Sequence, residues 1–269
     1  MIAAGVLAAS GAQAATPAQI VAKLNAQRAA NGIPAGITLD PVSTRGCEHH
    51  IRYEELNGIP WTHEEVPGRP GFTKDGKLAA STGLQAYYGS FDQVNPYENA
   101  PLHLAALLQP HLSRIGAFER GRRSCVVPAA YARELTANAV YTYPGGGRYG
   151  VPTSQTVHGE APNSPGDMVG LPQGTTTGPT IYVLAAGPWT GELPLRLTAA
   201  HLISKRGPVA IRVVDPARHA AIRPYVFPGV FFVIPVKPLS PGTVHTATVT
   251  VRSARGTTRT KRWQFATAD

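Results

Sequence analysis

The sequence changes character near residue 136, and this change constrains the fold more than any other feature. Before it, apolar residues recur at helical spacing, as Ile20, Val21 and Leu24 do. After it the helical spacing disappears, and 15 of the 25 prolines follow residue 143. Proline interrupts helices, whereas short apolar runs between turns are typical of strands. The sequence therefore predicts the α+β class, with a mixed N-terminal domain followed by an all-β domain.

Four helices are predicted before residue 136. The first has the clearest start, because Thr16 and Gln19 form a capping box around Pro17, and Gly32 is a suitable stop. The other three helices and two strands are predicted from the spacing of their apolar residues. The remaining helices are predicted over 43–57, 78–88 and 101–108, and the strands over 114–119 and 124–128.

Seven strand-like runs follow residue 136. Turn-forming residues separate several of them, as at 240–242 and 254–256. Seven short strands with turns between them are typical of a β-sandwich of immunoglobulin-like size. The predicted strands are 140–143, 180–185, 193–197, 209–214, 230–236, 244–251 and 259–265.

The first 15 residues have features of a signal peptide. An apolar run over 2–9 leads to Ala12-Gln13-Ala14, an A-x-A cleavage signature, although no Lys or Arg precedes the run. We interpret 1–15 as a shortened signal peptide removed after Ala14 or Ala15; a disordered cytosolic leader is the alternative. No other apolar stretch approaches the roughly 20 residues that span a bilayer. The predicted protein is therefore soluble and secreted, with association with the cell envelope as a further expectation.

The chain contains two cysteines, Cys47 and Cys125. An even number of cysteines in an exported protein favours a structural disulfide, because the compartment is oxidising. The pair would join two distant parts of the first domain. Two buried thiols are the alternative that the sequence leaves open.

Charge is distributed unevenly between the two predicted domains. Residues 1–135 carry 12 Lys/Arg and 11 Asp/Glu, a balance of +1, whereas residues 136–269 carry 13 and 5, a balance of +8. A basic second domain is suited to an anionic cell-wall or membrane surface. The simpler interpretation is a set of scattered surface charges, because only 259–262 is clustered.

Residues 17–130 resemble the CAP superfamily of secreted proteins (cysteine-rich secretory, antigen and pathogenesis-related, or SCP-like proteins) in its divergent bacterial form. The order and spacing of several segments carry this resemblance. They are the opening-helix motif at 24–28, with Leu in place of the usual first His, the second helix at 46–53, and the segments 62–64, 101–103 and 112–116.

The C-terminal part is similar to the bacterial Ig-like modules often joined to such domains. Its segments 238–243 and 263–267 are similar to the ending of those modules, with His245 in place of the usual Tyr. The resemblance implies a CAP-like α-β-α sandwich at 16–135, after the signal peptide predicted at 1–15, and an Ig-like β-sandwich at 136–269.

The CAP resemblance also implies a cleft with two histidines and two carboxylates, which holds a divalent cation in some members. His63 and His103 match the histidines, while Glu64 is the nearest carboxylate for one acid and Asp92 or Glu98 for the other. Imidazole nitrogen and carboxylate oxygen are ordinary Zn²⁺ ligands. Judged on spacing alone, His63 would be a solvated loop residue and His103 would pack beside its helix.

The function expected from this resemblance is non-enzymatic binding of a small molecule, lipids included, or of a divalent cation such as Zn²⁺, in a cleft lined by His63 and His103. The chain lacks the G-x-S-x-G nucleophile motif, and both cysteines are expected in a disulfide. One alternative is a metal-assisted hydrolase acting on peptide or cell-wall material, with Glu64 or Glu98 as general base. Another is a structural protein that adheres to the cell wall. No specific nucleic-acid partner is expected.

Overall fold

We describe the protein from a computed structural model, which covers residues 14–160 and 164–269. Within these ranges it is a mixed α+β protein dominated by sheets, with four α-helices and fifteen strands. The predicted signal peptide lies outside the described residues except for Ala14 and Ala15.

The described chain divides into two compact units that alternate along the sequence. Unit 1 contains the residues up to Lys23, Leu39–Pro96 and Ile115–Ala129, and unit 2 contains Leu24–Thr38, Tyr97–Arg114 and Ala130–Asp269. Because the units alternate, they do not coincide with the predicted boundary between residues 135 and 136, which stays a prediction.

Helices α1 to α3 and a four-stranded sheet form most of unit 1. The strands are ordered β1-β3-β4-β2 across the sheet. Residues of α1 from Leu24 onward are grouped with unit 2. The elements are α1 (Pro17–Ala30), β1 (Thr38–Leu39), α2 (Pro41–Leu56), α3 (Lys74–Thr82), β2 (Leu84–Tyr87), β3 (Arg114–Arg120) and β4 (Arg123–Ala130).

The starts of the first two helices follow from their capping residues. Thr16 N donates to Gln19 Oε1 over 2.8 Å and Gln19 N donates to Thr16 Oγ1 over 3.3 Å, so the predicted capping box is confirmed. Helix α2 begins slightly earlier than predicted, because Asp40 caps it by accepting from Ser43 N over 2.8 Å. Pro41 then occupies the first helical position, where its missing N–H costs nothing.

The predicted helix over 78–88 is wrong in its extent. Helix α3 begins after Thr73, whose hydroxyl accepts from Gly76 N over 3.0 Å, and it ends at Thr82, with Gly83 as its C-cap. The following residues form β2, in which Leu84 pairs with Val126 of β4. The backbone of this segment therefore takes its hydrogen bonds from the sheet, a tertiary effect that local helical spacing does not reveal.

The predicted disulfide is confirmed and joins α2 to β4. The sulfurs of Cys47 and Cys125 are bonded, and the two Cα atoms lie 5.5 Å apart. Both side chains are buried in an apolar cluster with Ile51, Ala79 and Val127. The bond therefore fixes the helix on the sheet through the core of unit 1.

Unit 2 contains helix α4 (Pro101–Leu108), as predicted, and two main sheets. One sheet has the strand order β11-β10-β14-β15-β6 and the other β12-β13-β9-β5, while β7 and β8 form a separate pair. The strands are β5 (Ala139–Tyr143), β6 (Arg148–Val151), β7 (Gln155–Thr156), β8 (Thr176–Thr177), β9 (Ile181–Ala186), β10 (Arg196–Ser204), β11 (Gly207–Pro208), β12 (Ile211–Val214), β13 (Val230–Pro235), β14 (Val244–Arg252) and β15 (Thr258–Thr267).

Side chains from both main sheets of unit 2 share one core. Phe231 of β13 lies in the same buried cluster as Val249 of β14 and Trp263 of β15, with Trp189 from a connecting 3-10 helix. This arrangement follows from the alternation of buried and partly exposed residues along β14.

The predicted strand over 193–197 is misplaced. The observed strand β10 starts at Arg196, and Pro194 precedes it, consistent with the lack of an N–H group that Pro could donate to a sheet. The strand continues to Ser204 through Ala199 and Ala200, which have low strand propensity and hid its true extent from the sequence. Pairing with β14 compensates for that low propensity.

Within the described residues, no helix is long and apolar enough to cross a membrane.

Candidate functional site

His103 lies on the first turn of α4, where it is paired with Glu160. The Glu160 carboxylate accepts from Leu102 N over 3.0 Å and contacts His103 Nδ1 over 2.8 Å. A carboxylate at the start of a helix satisfies free backbone N–H groups and complements the helix dipole. If the carboxylate accepts, Nδ1 carries the proton and Nε2 is the nitrogen with a free lone pair in the neutral ring.

The surroundings of His103 hold its ring in one orientation. The ring stacks on Tyr97 with centroids 5.8 Å apart and planes within 3°. The His103 side chain is 18% exposed, whereas that of Glu160 is 2% exposed. Among the described residues, none forms a hydrogen bond with Nε2. The fixed nitrogen is therefore available to a ligand.

Glu98 lies in the turn before α4 and is held by two neutral side chains. Its two oxygens lie 2.9 and 2.7 Å from the Tyr143 hydroxyl, and Gln27 Nε2 also donates to it. Burial raises the pKa of Glu98, and this effect outweighs the two hydrogen bonds, which lower the pKa. Glu98 therefore retains its proton to higher pH than an ordinary glutamate.

Tyr182 of β9 lies within electrostatic range of both Glu98 and Glu160. Burial, together with the nearby Glu160 and Glu98, raises the pKa of Tyr182 well above its ordinary value. Its ring packs edge-on against Tyr143 at 5.7 Å. In the described part of the chain, the buried Tyr182 hydroxyl has no hydrogen-bond partner. We call His103, Glu160, Glu98, Tyr143 and Tyr182 the His103 site.

The other two residues predicted for the site lie in unit 1. His63 Nδ1 donates to the Ala80 carbonyl over 2.9 Å, so Nε2 is its available nitrogen, and Trp61 packs edge-on at 6.0 Å. Glu64 is exposed and its backbone N–H bonds to Thr62 Oγ1. His63 and Glu64 thus belong to one unit, and His103 and Glu98 to the other. Their joint role in a cleft stays a prediction.

A second cluster of ionisable groups, which the sequence did not reveal, lies inside unit 1. His50 is fully buried, with Nδ1 3.0 Å from Glu65 Oε1 and Nε2 3.0 Å from the Thr62 carbonyl. Nε2 also lies 3.3 Å from Glu54 Oε1, and Arg123 Nε lies 3.4 Å from Glu54 Oε2. Two positive and two negative groups therefore face one another inside the unit.

The charge of His50 follows from its neighbours. Burial alone would lower the pKa of His50, but the hydrogen bonds to Glu54 and Glu65 outweigh it, and the pKa is raised. Both ring nitrogens face acceptors, which favours the doubly protonated imidazolium.

This His50 cluster holds the loop that follows α2. Glu65 Oε2 accepts from Thr73 N over 3.1 Å, and Glu54 Oε1 accepts from Thr62 N over 2.9 Å. Both carboxylates thus bond to the loop backbone as well as to the imidazole. Because the His50 ring is enclosed by these partners, we assign the cluster a structural role.

Metal binding is not supported by the grouping of side chains. Among residues 14–160 and 164–269, no three or more His, Cys, Asp or Glu side chains are placed to hold a metal ion together. His63 and His103 each have one available nitrogen within their own unit. The predicted Zn²⁺ site stays a prediction.

Unit 2 also has an apolar cavity of about 430 Å³ that includes none of the predicted site residues. Arg223 at its wall is already engaged, because the guanidinium donates to the carbonyls of Pro216 and Ala217. The side chains that line the cavity are therefore mainly hydrophobic. Its walls include Leu193, Leu195, Arg196, Phe227 and Phe231.

Comparisons with known proteins give no family assignment. No protein-family model matches the chain, and no curated protein matches it. Among solved structures, the chain is similar to selenomethionine PcoC, a copper resistance protein from Escherichia coli, with 15% sequence identity and a TM-score of 0.27. The match covers 47% of this chain and 94% of that chain. A similarity this weak carries no inference about fold or function.

Proposed function

We propose that the chain is a secreted, non-enzymatic CAP-like protein that binds a small molecule at the His103 site, with lipids among the candidate ligands. The C-terminal strands, in this proposal, form an Ig-like module. The family resemblance over residues 17–130 motivates the proposal, and the Cys47–Cys125 disulfide is compatible with an oxidising compartment outside the cytosol.

The observation that carries the proposal is the orientation of His103. Glu160 engages Nδ1 and Tyr97 stacks on the ring, while Nε2 has no partner among the described residues. A ring held in this way has little conformational freedom left to lose when a ligand binds. A neutral Nε2 accepts a hydrogen bond from a ligand hydroxyl or amine, or ligates a cation.

The buried polar groups around His103 add a second argument. Leaving a buried hydroxyl unsatisfied costs about 1–3 kcal/mol. The Tyr182 hydroxyl is such a group within the described structure, and it lies in the electrostatic range of both Glu98 and Glu160. A polar ligand group or an ordered water that reached it would recover part of this cost.

The proposal predicts that the exported protein carries a bound small molecule. Native mass spectrometry of the purified protein should show a mass above that of the polypeptide, which denaturation releases. The variant His103→Gln should bind it about tenfold more weakly and therefore carry less of it, because the loss of one hydrogen bond costs about 1.4 kcal/mol. The mass of the released species distinguishes a metal ion from an organic molecule.

His201→Gln is the matched control, because His201 is an exposed histidine on β10 of the same unit. This variant should carry the same bound mass as the natural protein. Equal occupancy in His103→Gln and the natural protein would rule out His103 as the binding residue.

The hydrolase alternative has one observation in its favour. Burial raises the pKa of Glu98, which makes it a stronger general base when ionised, and His103, the predicted metal ligand, has an available nitrogen. This alternative predicts turnover of peptides or cell-wall fragments that both Glu98→Gln and His103→Gln abolish. Sensitivity of that turnover to a chelator would assign a role to a metal ion.

The adhesion alternative depends on charge. Residues 136–269 have a balance of +8, and Arg259 and Arg262 are exposed on β15. Attraction to an anionic wall should weaken as salt is raised from 0.05 to about 0.5 M. Binding to the wall should also be weaker in the double variant Arg259→Gln/Arg262→Gln. The control is the double variant Arg52→Gln/Lys77→Gln, which removes two exposed charges from unit 1 and should weaken binding less.

A further inference from the structure

The backbone nitrogen of Ala15 lies against a buried carboxylate. Ala15 directly follows the A-x-A signature that ends at Ala14. Its N–H donates to Glu119 Oε2 over 3.0 Å, and Ala15 is only 5% exposed. The first residue after a predicted cleavage point is thus already fixed inside unit 1.

Glu119, on β3, has three hydrogen-bond donors at its carboxylate within the described residues, and all three are neutral. Besides Ala15 N, Ser90 Oγ donates to Oε2 over 2.8 Å and Phe91 N donates to Oε1 over 2.9 Å. Glu119 is 6% exposed, and within the described residues no Lys, Arg or His forms an ion pair with it. A hydrogen bond to a carboxylate is roughly twice as strong when its donor is a cation as when its donor is neutral.

We propose that the chain is cleaved between Ala14 and Ala15, and that the new α-ammonium group of Ala15 forms a buried ion pair with Glu119. A leader peptidase of the exporting cell would add water across this peptide bond. Ala14 then leaves with the new carboxylate, and Ala15 keeps the nitrogen and gains the protons of an ammonium group. A neutral amide donor at Glu119 thereby becomes a cation without any change of position.

The structure distinguishes this cleavage from one after Ala15. Cleavage after Ala15 would place the ammonium on Thr16, whose nitrogen donates to Gln19 Oε1 in the capping box of α1. Glu119 would then lose the Ala15 donor and gain no cation. Of the two cleavage points compatible with the sequence, only the bond before Ala15 supplies Glu119 with a positive partner.

Other charges beside this site are already paired. Lys23 Nζ donates to the carbonyls of Phe91 and Asp92 over 2.5 and 2.6 Å and lies 4.0 Å from Asp92 Oδ1. Lys23 is thus directed to the segment that also donates to Glu119, rather than to Glu119 itself. The α-ammonium, unlike Lys23, would therefore have direct access to the carboxylate.

The test compares two chains, one with Ala15 and one with Ala14 as its N-terminal residue. Each is produced as a fusion protein and released by a protease that leaves no extra residue. Each chain is prepared with Glu119 and with Glu119→Gln, and urea unfolding is measured at pH 7. The amine has a pKa of about 7.7–8.0 in the unfolded chain. If the ion pair raises this pKa by one unit in the folded chain, the folding equilibrium constant rises about tenfold at a pH below the unfolded and folded pKa values. This gain is lost as pH rises through the raised pKa.

The chain beginning at Ala15 should therefore have a folding equilibrium constant at least about tenfold larger than the chain beginning at Ala14. When both chains carry Glu119→Gln, their folding equilibrium constants should be equal. Equal stability of the two Glu119 chains, or a difference that survives in Glu119→Gln, would overturn the proposal.

A second measurement covers the case in which Glu119→Gln does not fold. The acylation rate of the N-terminal amine by an amine-reactive reagent at pH 7 reports both its burial and its protonation. The amine of the Ala15 chain should react at least about tenfold more slowly than that of the Ala14 chain, because a rise of one unit in pKa alone lowers the free-amine fraction by nearly that factor. Equal rates would overturn the proposal.

Discussion

Replacing His50 with alanine should lower the free energy of unfolding by about 3–5 kcal/mol, because it removes the imidazolium that faces two buried carboxylates. Glu65 would lose the imidazole at 3.0 Å, and Glu54 would keep only Arg123 as a cation. The loop after α2 would lose two of its attachments at the same time, the bonds from the imidazole to the Thr62 carbonyl and to Glu65. Urea unfolding of the full chain at pH 6 measures this loss.

The contribution of His50 should also depend on pH in a definite direction. Its pKa is raised in the folded protein. The stabilisation is therefore fully present below the unfolded value of about 6.5, and it is lost as pH rises through the raised folded pKa. The difference in unfolding free energy between the natural protein and His50→Ala should shrink over that range.

His49→Ala is the matched control for His50→Ala. His49 is the neighbouring residue on α2 and pairs with Asp75 at 2.9 Å, but both side chains are about one-third exposed. Water screens such a pair, so the variant should lose at most about 1 kcal/mol. Similar losses for the two variants would contradict a special role for the buried cluster.

Replacing both cysteines with serine should lower the free energy of unfolding by at least about 4.5 kcal/mol. Cys47 and Cys125 are separated by 78 residues, and cross-linking a loop of that length reduces the entropy of the unfolded chain by roughly this amount. Burial adds a further cost, because both serine hydroxyls would lie in the apolar cluster.

Reduction of the natural protein separates these two contributions. Urea unfolding with and without dithiothreitol measures the loss due to the cross-link alone, since the reduced thiols pack well in apolar surroundings. The double serine variant should lose at least as much stability as the reduced protein. Stability unchanged by reduction would contradict the assigned role of the bond.

Sequence reasoning worked where the information is local. Thr16 and Gln19 predict the start of α1 because a capping box is complete within one turn. It failed where a distant partner decides the structure, as in β2, which forms by pairing with β4. Pairing across the chain leaves no local pattern to detect.

The same distinction applies to the candidate site. His103 and Glu98 were predicted as site residues, but Glu160, which orients His103, is 57 residues away and carries no recognisable motif. Likewise, His50 and Glu54 are separated by one helical turn, whereas Glu65 joins them from a loop. Spacing shows which residues share a helix face, while tertiary structure determines which loop residue completes the group.

The most direct test of the central claim is an NMR measurement of the histidine ring nitrogens at neutral pH. Long-range ¹H–¹⁵N spectra are compared for the exported protein as purified and after its bound molecule has been removed. We predict that His103 is protonated at Nδ1 in both states, and that its Nε2 resonance changes on removal while the His201 resonances do not. An Nε2 resonance of His103 that is the same in both states would contradict ligand binding at this residue.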